Sequence, residues 1–348
     1  MTTTMDIAVC LDCSSSMTFY LNSIRLNILS IVKKSIIEHQ SDVRMALIEF
    51  QSHTDDWVTN IHPFTSSMDL FQEWLNAVRT EGRNSNECKA IVDALDASLT
   101  LDWRPNTNVN RYHEKLVILI TDGPPCNFLN DECSFNSKDL WKISDEFEKQ
   151  DITLVIIGIE PSVVVCDDFY CALANKTGGE YLPLINASHV LSSVIKRAIL
   201  EEETLAQLFR HSDIRVNIEY NSLYCYSYVE KRARFMIEYC QTMTDIRKWL
   251  FTYRYQPIEF IIDKIDDDDD DDDFEPHSPS SNKDYFHHLL CQNVNIMAST
   301  PITDDEGYRT RLPTTASTDS SFIHIIGSPI SSYRTDFDWT SEIDDECF

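Results

Sequence analysis

Between residues 5 and 210 two kinds of apolar pattern alternate. The first kind is short and unbroken: "MDIAVCL" at 5–11, "VRMALIEF" at 43–50, "KLVILITDG" at 115–123 and "DITLVIIGIEP" at 151–161. Apolar runs of this length predict strands covered on both faces. "DWVTNIHPF" at 56–64 predicts a weaker strand ended by Pro63, and "EYLPLI" at 180–185 a short last one. In the second kind, apolar residues recur every three or four positions. Leu21, Ile24, Ile28, Ile31, Val32 and Ile36 mark one amphipathic helix, with Arg25, Lys33 and Lys34 turned away. Further helices are expected at 67–79, 87–100, 137–150 and 167–179. Asn136 or Ser137 is the expected N-cap of the third of these, and glycine closes the fourth. "ASHVLSSVIKRAILEEETLAQLFR" predicts one long helix. Such alternation implies an α/β domain over 4–205, a doubly wound, mainly parallel six-stranded sheet with helices on both faces.

The pattern weakens after residue 212. An aromatic, mixed stretch, 206–265, is expected to be a small helical or α+β extension, packed on the first domain or binding a partner. Eight consecutive aspartates follow, Asp266–Asp273. The region 266–348 holds 20 acidic and 4 basic residues within Ser-, Thr- and Pro-rich sequence. It is expected to be a largely disordered acidic tail, with "SFIHIIGSPI" at 321–330 as a possible docking strand.

The whole chain of 348 residues carries a net charge of −28. That charge repels nucleic acid and anionic membrane surfaces, so neither is an expected partner. Cations fit better, as do basic proteins, which the acidic tail would attract. No leader-like start and no apolar run near the roughly 18 residues of a membrane span are seen. A cytoplasmic location is therefore expected, with the 11 cysteines mostly reduced and buried.

Two strands end in an acid. "LDCSSSM" follows the first with Asp12, Ser14 and Ser16 at alternate positions, and "TDG" follows another with Asp122. Alternate side chains of an extended segment point the same way. Three oxygen donors facing one point suit a hard cation such as Mg²⁺, and ligands of open α/β sheets bind at the carboxyl ends of strands. The plainer reading gives these serines to turns and caps.

Other chemistry fits less well. A phosphatase-type Asp-x-Asp needs an acid where Ser14 stands. With 7 glycines in the chain, no Gly-rich phosphate loop is present. Cys166-x₄-Cys171 has zinc spacing but Cys126-x₆-Cys133 does not, so ordinary thiols are the reading. His53, His62, His113 and His211 show no metal spacing.

With "DCSSSM", "GRNSN" at 82–86 and "LITDG" at 119–123, the chain resembles the von Willebrand factor A domain family over residues 4–205. "RMALIEFQSHTDDW", "WRPN", "GIEP" and "LANKTGGEYLPL" are similar to a stand-alone subgroup akin to the domain joined to some alpha-type kinases. The resemblance implies a metal-ion-dependent adhesion site holding Mg²⁺ or Mn²⁺. Its metal residues would be Asp12, Ser14, Ser16, Asn84 and Asp122, with Asn84 in place of the family's Thr or Asp. Asn lacks the charge of Asp and should bind the ion more weakly. The ion would keep one position open for a Glu or Asp of a partner protein, and the chain would not be an enzyme. Two alternatives follow from the same residues: a metal-free scaffold, which Asn84 favours, and a regulatory relative of alpha-type kinases.

Overall fold

A computed structural model describes residues 4–32, 42–80, 89–105, 113–126, 128, 138–160, 162–200, 203–210 and 226–253. All of them fall within one compact unit, Met1–Asp271. The tail reading, 266–348, lies outside the described residues.

Six strands form one sheet in the order β3-β2-β1-β4-β5-β6. They are β1 (Thr4–Asp12), β2 (Asp42–Phe50), β3 (Thr59–Thr65), β4 (His113–Thr121), β5 (Ile152–Gly158) and β6 (Tyr181–Pro183). All neighbours are parallel except β2 and β3. The mainly parallel six-stranded architecture expected from the apolar pattern is therefore present.

β1 sits between β2 and β4, which explains its unbroken apolar run: both of its faces are buried. Ile7, Val9 and Leu11 pack into one core with Ile24 and Ile28 of α1 (Leu21–Val32), Phe71 of α2 (Met68–Ala77) and Leu191 of α6 (Leu184–Ile199). Ala8 and Cys10 enter the other core. There they meet Leu95 of α3 (Ile91–Leu99), Trp141 and Phe147 of α4 (Leu140–Lys149) and Phe169 of α5 (Asp167–Lys176). The period-two alternation of one strand thus serves two helix layers.

Four local expectations are corrected. Pro63 does not end β3, which continues to Thr65. β3 is an edge strand, where the missing proline N–H has no ladder partner to disappoint. The pairing runs Leu47↔His62 and then Met45↔Thr65, so Pro63 falls within a register irregularity. The N-cap of α4 is Asp139, and neither Asn136 nor Ser137: its carboxylate accepts from Trp141 N at 2.9 Å and Lys142 N at 3.3 Å.

The expected long helix is two. α6 begins at Leu184, inside the expected strand, and α7 (Leu205–Arg210) starts afresh. Thr204 N donates to Gln207 Oε1 (2.9 Å) and Gln207 N to Thr204 Oγ1 (3.3 Å), a reciprocal cap that opens a new helix. Lastly, Arg25 does not simply face water. It donates to the Leu75 and Val78 carbonyls and ties α1 to the end of α2.

The close of α5 is as expected. Gly178 has φ +79, and a Cβ on Gly179 would stand 1.9 Å from the Leu154 carbonyl oxygen. Only glycine permits both.

At the amino end of the sheet, Asp6 is fully buried and receives three cationic or imidazole side chains. Arg44 of β2 binds it twice, at 2.9 and 2.6 Å, Arg104 through its side chain and backbone N, and His113 of β4 at 3.2 Å. Burial by itself would raise the Asp6 carboxyl. The hydrogen bonds from Arg44, His113 and Arg104 outweigh it and hold the group well below the usual carboxylate range.

Within the extension region two helices, Tyr226–Tyr239 and Met243–Tyr253, pack on the α4–α5 side. Arg232 donates to Asp168 of α5 at 3.1 Å, with both side chains almost fully buried. Trp141 Nε1 donates to the Cys240 carbonyl (2.8 Å), and Met243 N donates to Asp139. The guanidinium of Arg232 also lies over the Trp249 ring. Among the described cysteines, Cys10, Cys13, Cys126, Cys166, Cys171 and Cys240 are buried thiols that form no disulfide.

Candidate functional site

Asp12 is the last residue of β1, and Asp122 follows directly on β4. Because these strands are neighbours in parallel register, their carboxyl ends share one rim. After Asp12 the chain leaves the sheet: Cys13 N still bonds to the Phe50 carbonyl, and Ser15–Phe19 form a tight 3₁₀ turn. That geometry brings Ser14 and Ser16 together, with their hydroxyls 3.1 Å apart.

Asp12 is held rigidly. One oxygen accepts from Ser14 N (3.0 Å) and the other from Thr121 Oγ1 (2.9 Å). Burial raises the Asp12 carboxyl above its ordinary value. The nearby Lys89 charge opposes this and the Asp122 charge adds to it. Asp122 Oδ1 is buried too, and its charge partner is the Lys89 ammonium at 3.2 Å.

Four of the five expected metal residues therefore converge. The fifth, Asn84, lies in 81–88, outside the described residues. Two serine hydroxyls and two carboxylates make an all-oxygen donor set that fits a hard divalent cation.

At the centre of that set stands a side chain that sequence reading passed over. Lys89 Nζ donates to Ser14 Oγ at 2.5 Å and Ser16 Oγ at 2.9 Å. It lies 3.2 Å from Asp122 Oδ1 and 3.7 Å from Asp12 Oδ2. The whole residue is 4 % exposed. Its backbone is pinned from both sides, with Lys89 N donating to the Pro124 carbonyl and Cys126 N to the Lys89 carbonyl. Its stem covers Gly123, where an added Cβ would press to 3.0 Å from Lys89 Cε. A signal for it was present in the sequence. Two acids brought to one rim call for a counter-charge, and Lys89 follows closely on the loop expected to complete the site.

Beside the rim runs a second polar line. His53 Nδ1 is 3.3 Å from the Cys126 thiol, and His53 Nε2 is 2.8 Å from Asp93 Oδ2. No spacing in the sequence pointed to it, because the three residues come from three separate segments.

Residues 6–181 match the family model of the von Willebrand factor type A domain. No protein with a curated description matches significantly. Among solved structures, the conserved hypothetical protein BatB from Bacteroides thetaiotaomicron is similar at 14% identity and TM-score 0.41, covering 57% of this chain and 100% of that one. Proximal thread matrix protein 1 from the mussel byssus, in a structure with a zinc-occupied MIDAS motif, is similar at 20% identity and TM-score 0.38. There the match covers 57% of this chain and 46% of the mussel chain, so it spans about half of that protein's length.

Proposed function

The chain belongs to the von Willebrand factor type A domain family, and from that premise we propose that it is a protein-interaction module with no reaction of its own. The rim at the ends of β1 and β4 is the binding surface. Asp12, Ser14, Ser16 and Asp122 would hold a divalent cation there, Mg²⁺ or Mn²⁺, with Asn84 as the further donor that the family pattern implies. A bound ion with few direct anionic ligands supplies an electrophilic position for a carboxylate of a partner protein. The chain's own residues do the rest. Asp12, fixed by Ser14 N and Thr121, sets the negative field of the site. The 3₁₀ turn presents both hydroxyls to one point and leaves Phe19 79 % exposed beside them, as apolar contact area for a partner.

The observation that carries this reading is the convergence of four separately predicted oxygen donors on one cationic centre. Affinity capture from a lysate with and without EDTA tests it, using the wild-type chain and Asp12→Ala. The expected result is a partner retained by the wild type alone and released by EDTA. Capture indifferent to both changes would remove the cation from the mechanism.

A metal-free scaffold is the second reading, and the Lys89 ammonium among the donors is what favours it. In that case EDTA leaves capture unchanged.

A further inference from the structure

The position that a divalent ion would take is the position of the Lys89 ammonium. We propose that Lys89 is a tethered competitor for the cation seat, which keeps the rim closed to metal and to an acidic partner until its side chain swings out. This rests on the reading of the rim as a cation-centred interaction site and adds its regulation.

Three features support it. First, the ammonium has the partners an ion would have: both serine hydroxyls at 2.5 and 2.9 Å, and both carboxylates within 3.7 Å. An ion bound by those hydroxyls at about 2.1 Å would stand almost on top of Nζ, and two cations cannot share that space. Second, the seat is built for the stem. Glycine at 123 leaves room for Lys89 Cε, and the Pro124 and Cys126 bonds fix the backbone from which the stem reaches in. Third, the tether is flexible only beyond Cα. A four-carbon stem lets the head leave while the backbone stays in place.

The seated ammonium also neutralises one of the two buried acids, so the rim can fold without metal. Binding of an external ion is then weakened by the fraction of molecules whose seat is vacated. A tethered group competes at an effective concentration on the order of millimolar or more.

The test is calorimetric titration of Mn²⁺ into the full chain as wild type, Lys89→Met and Lys89→Met/Asp12→Asn. Methionine keeps the stem length and removes the charge. Lys89→Met should bind Mn²⁺ at least about tenfold more tightly than wild type, a change of about 1.4 kcal/mol. The double variant should lose the gain, which also separates the rim from loose binding by the aspartate run. Equal affinity of wild type and Lys89→Met overturns the proposal, as does a gain that survives in the double variant.

Melting curves give a second readout. Without metal, Lys89→Met should melt below wild type, and Mn²⁺ should restore it. If the variant is unfolded without metal, Mn²⁺ should recover its fold, and failure to recover it also overturns the proposal. Partner capture that ignores EDTA would remove the adhesion reading while leaving tighter Mn²⁺ binding by Lys89→Met intact, so the two failures are distinguishable.

Discussion

Single residues of this protein take their chemistry from neighbours that are remote in sequence. Cys126, His53 and Asp93 show this most simply. The thiol stands against an imidazole whose far nitrogen meets a carboxylate, the arrangement that activates sulfur nucleophiles. Cys10 and Cys13 lack such a partner, and burial pushes both thiols up. Iodoacetamide should therefore label Cys126 before either of them in the native protein, and His53→Ala should slow that labelling several-fold. Peptide mass mapping over time reads both effects. Faster labelling of Cys10 than of Cys126 would contradict the assignment.

At the scale of elements, the Tyr226–Tyr239 helix shows how the chain beyond the six-stranded unit is attached. It packs Val229, Ala233 and Met236 into the core that α5 lines, and among its polar links to α5 is the Arg232–Asp168 pair, buried on both sides. Removing one member leaves a buried charge uncompensated, which costs about 3–5 kcal/mol. Arg232→Met should lower stability by that order in a urea melt. Arg232→Met/Asp168→Leu should recover most of the loss, because a pair of apolar residues carries no stranded charge.

Legibility in the sequence divides at this scale. The buried strands were readable because two apolar faces leave an unbroken run. α4 was readable as a helix, but its cap was not, since Asp139 is chosen by where the helix meets the chain at Met243. The split between α6 and α7 was written in Thr204 and Gln207, and a continuous apolar rhythm across Leu200 masked it. Asp12, Ser14, Ser16 and Asp122 were legible from strand ends and alternate spacing. Lys89 was legible only at one remove: the two strand-end acids call for a counter-charge, but only the sheet shows which cation answers it.

The whole molecule answers to acid through its far end. Asp6 joins β1 to β2 and β4 by the side chains that converge on it, so its charge state bears on the centre of the sheet. Its carboxyl is held below the unfolded value, so its contribution is complete above about pH 4 and is lost as pH falls below that. Stability should drop through the acid range with a gradient that includes about 1.4 kcal/mol per pH unit from this group. Asp6→Asn should be less stable at neutral pH and show a flatter acid limb in melts between pH 5 and 2. An unchanged limb would assign the acid sensitivity to other carboxyls.

One consequence concerns solubility. A sheet ending in a strand of free N–H and C=O groups is a template on which other chains can add, and that is the start of aggregation. Here one border strand carries Pro63 inside its irregular register, and the opposite border is the three-residue Tyr181–Pro183. Neither offers a long flat ladder for a stray strand to copy. The lateral borders are thus guarded against self-recruitment.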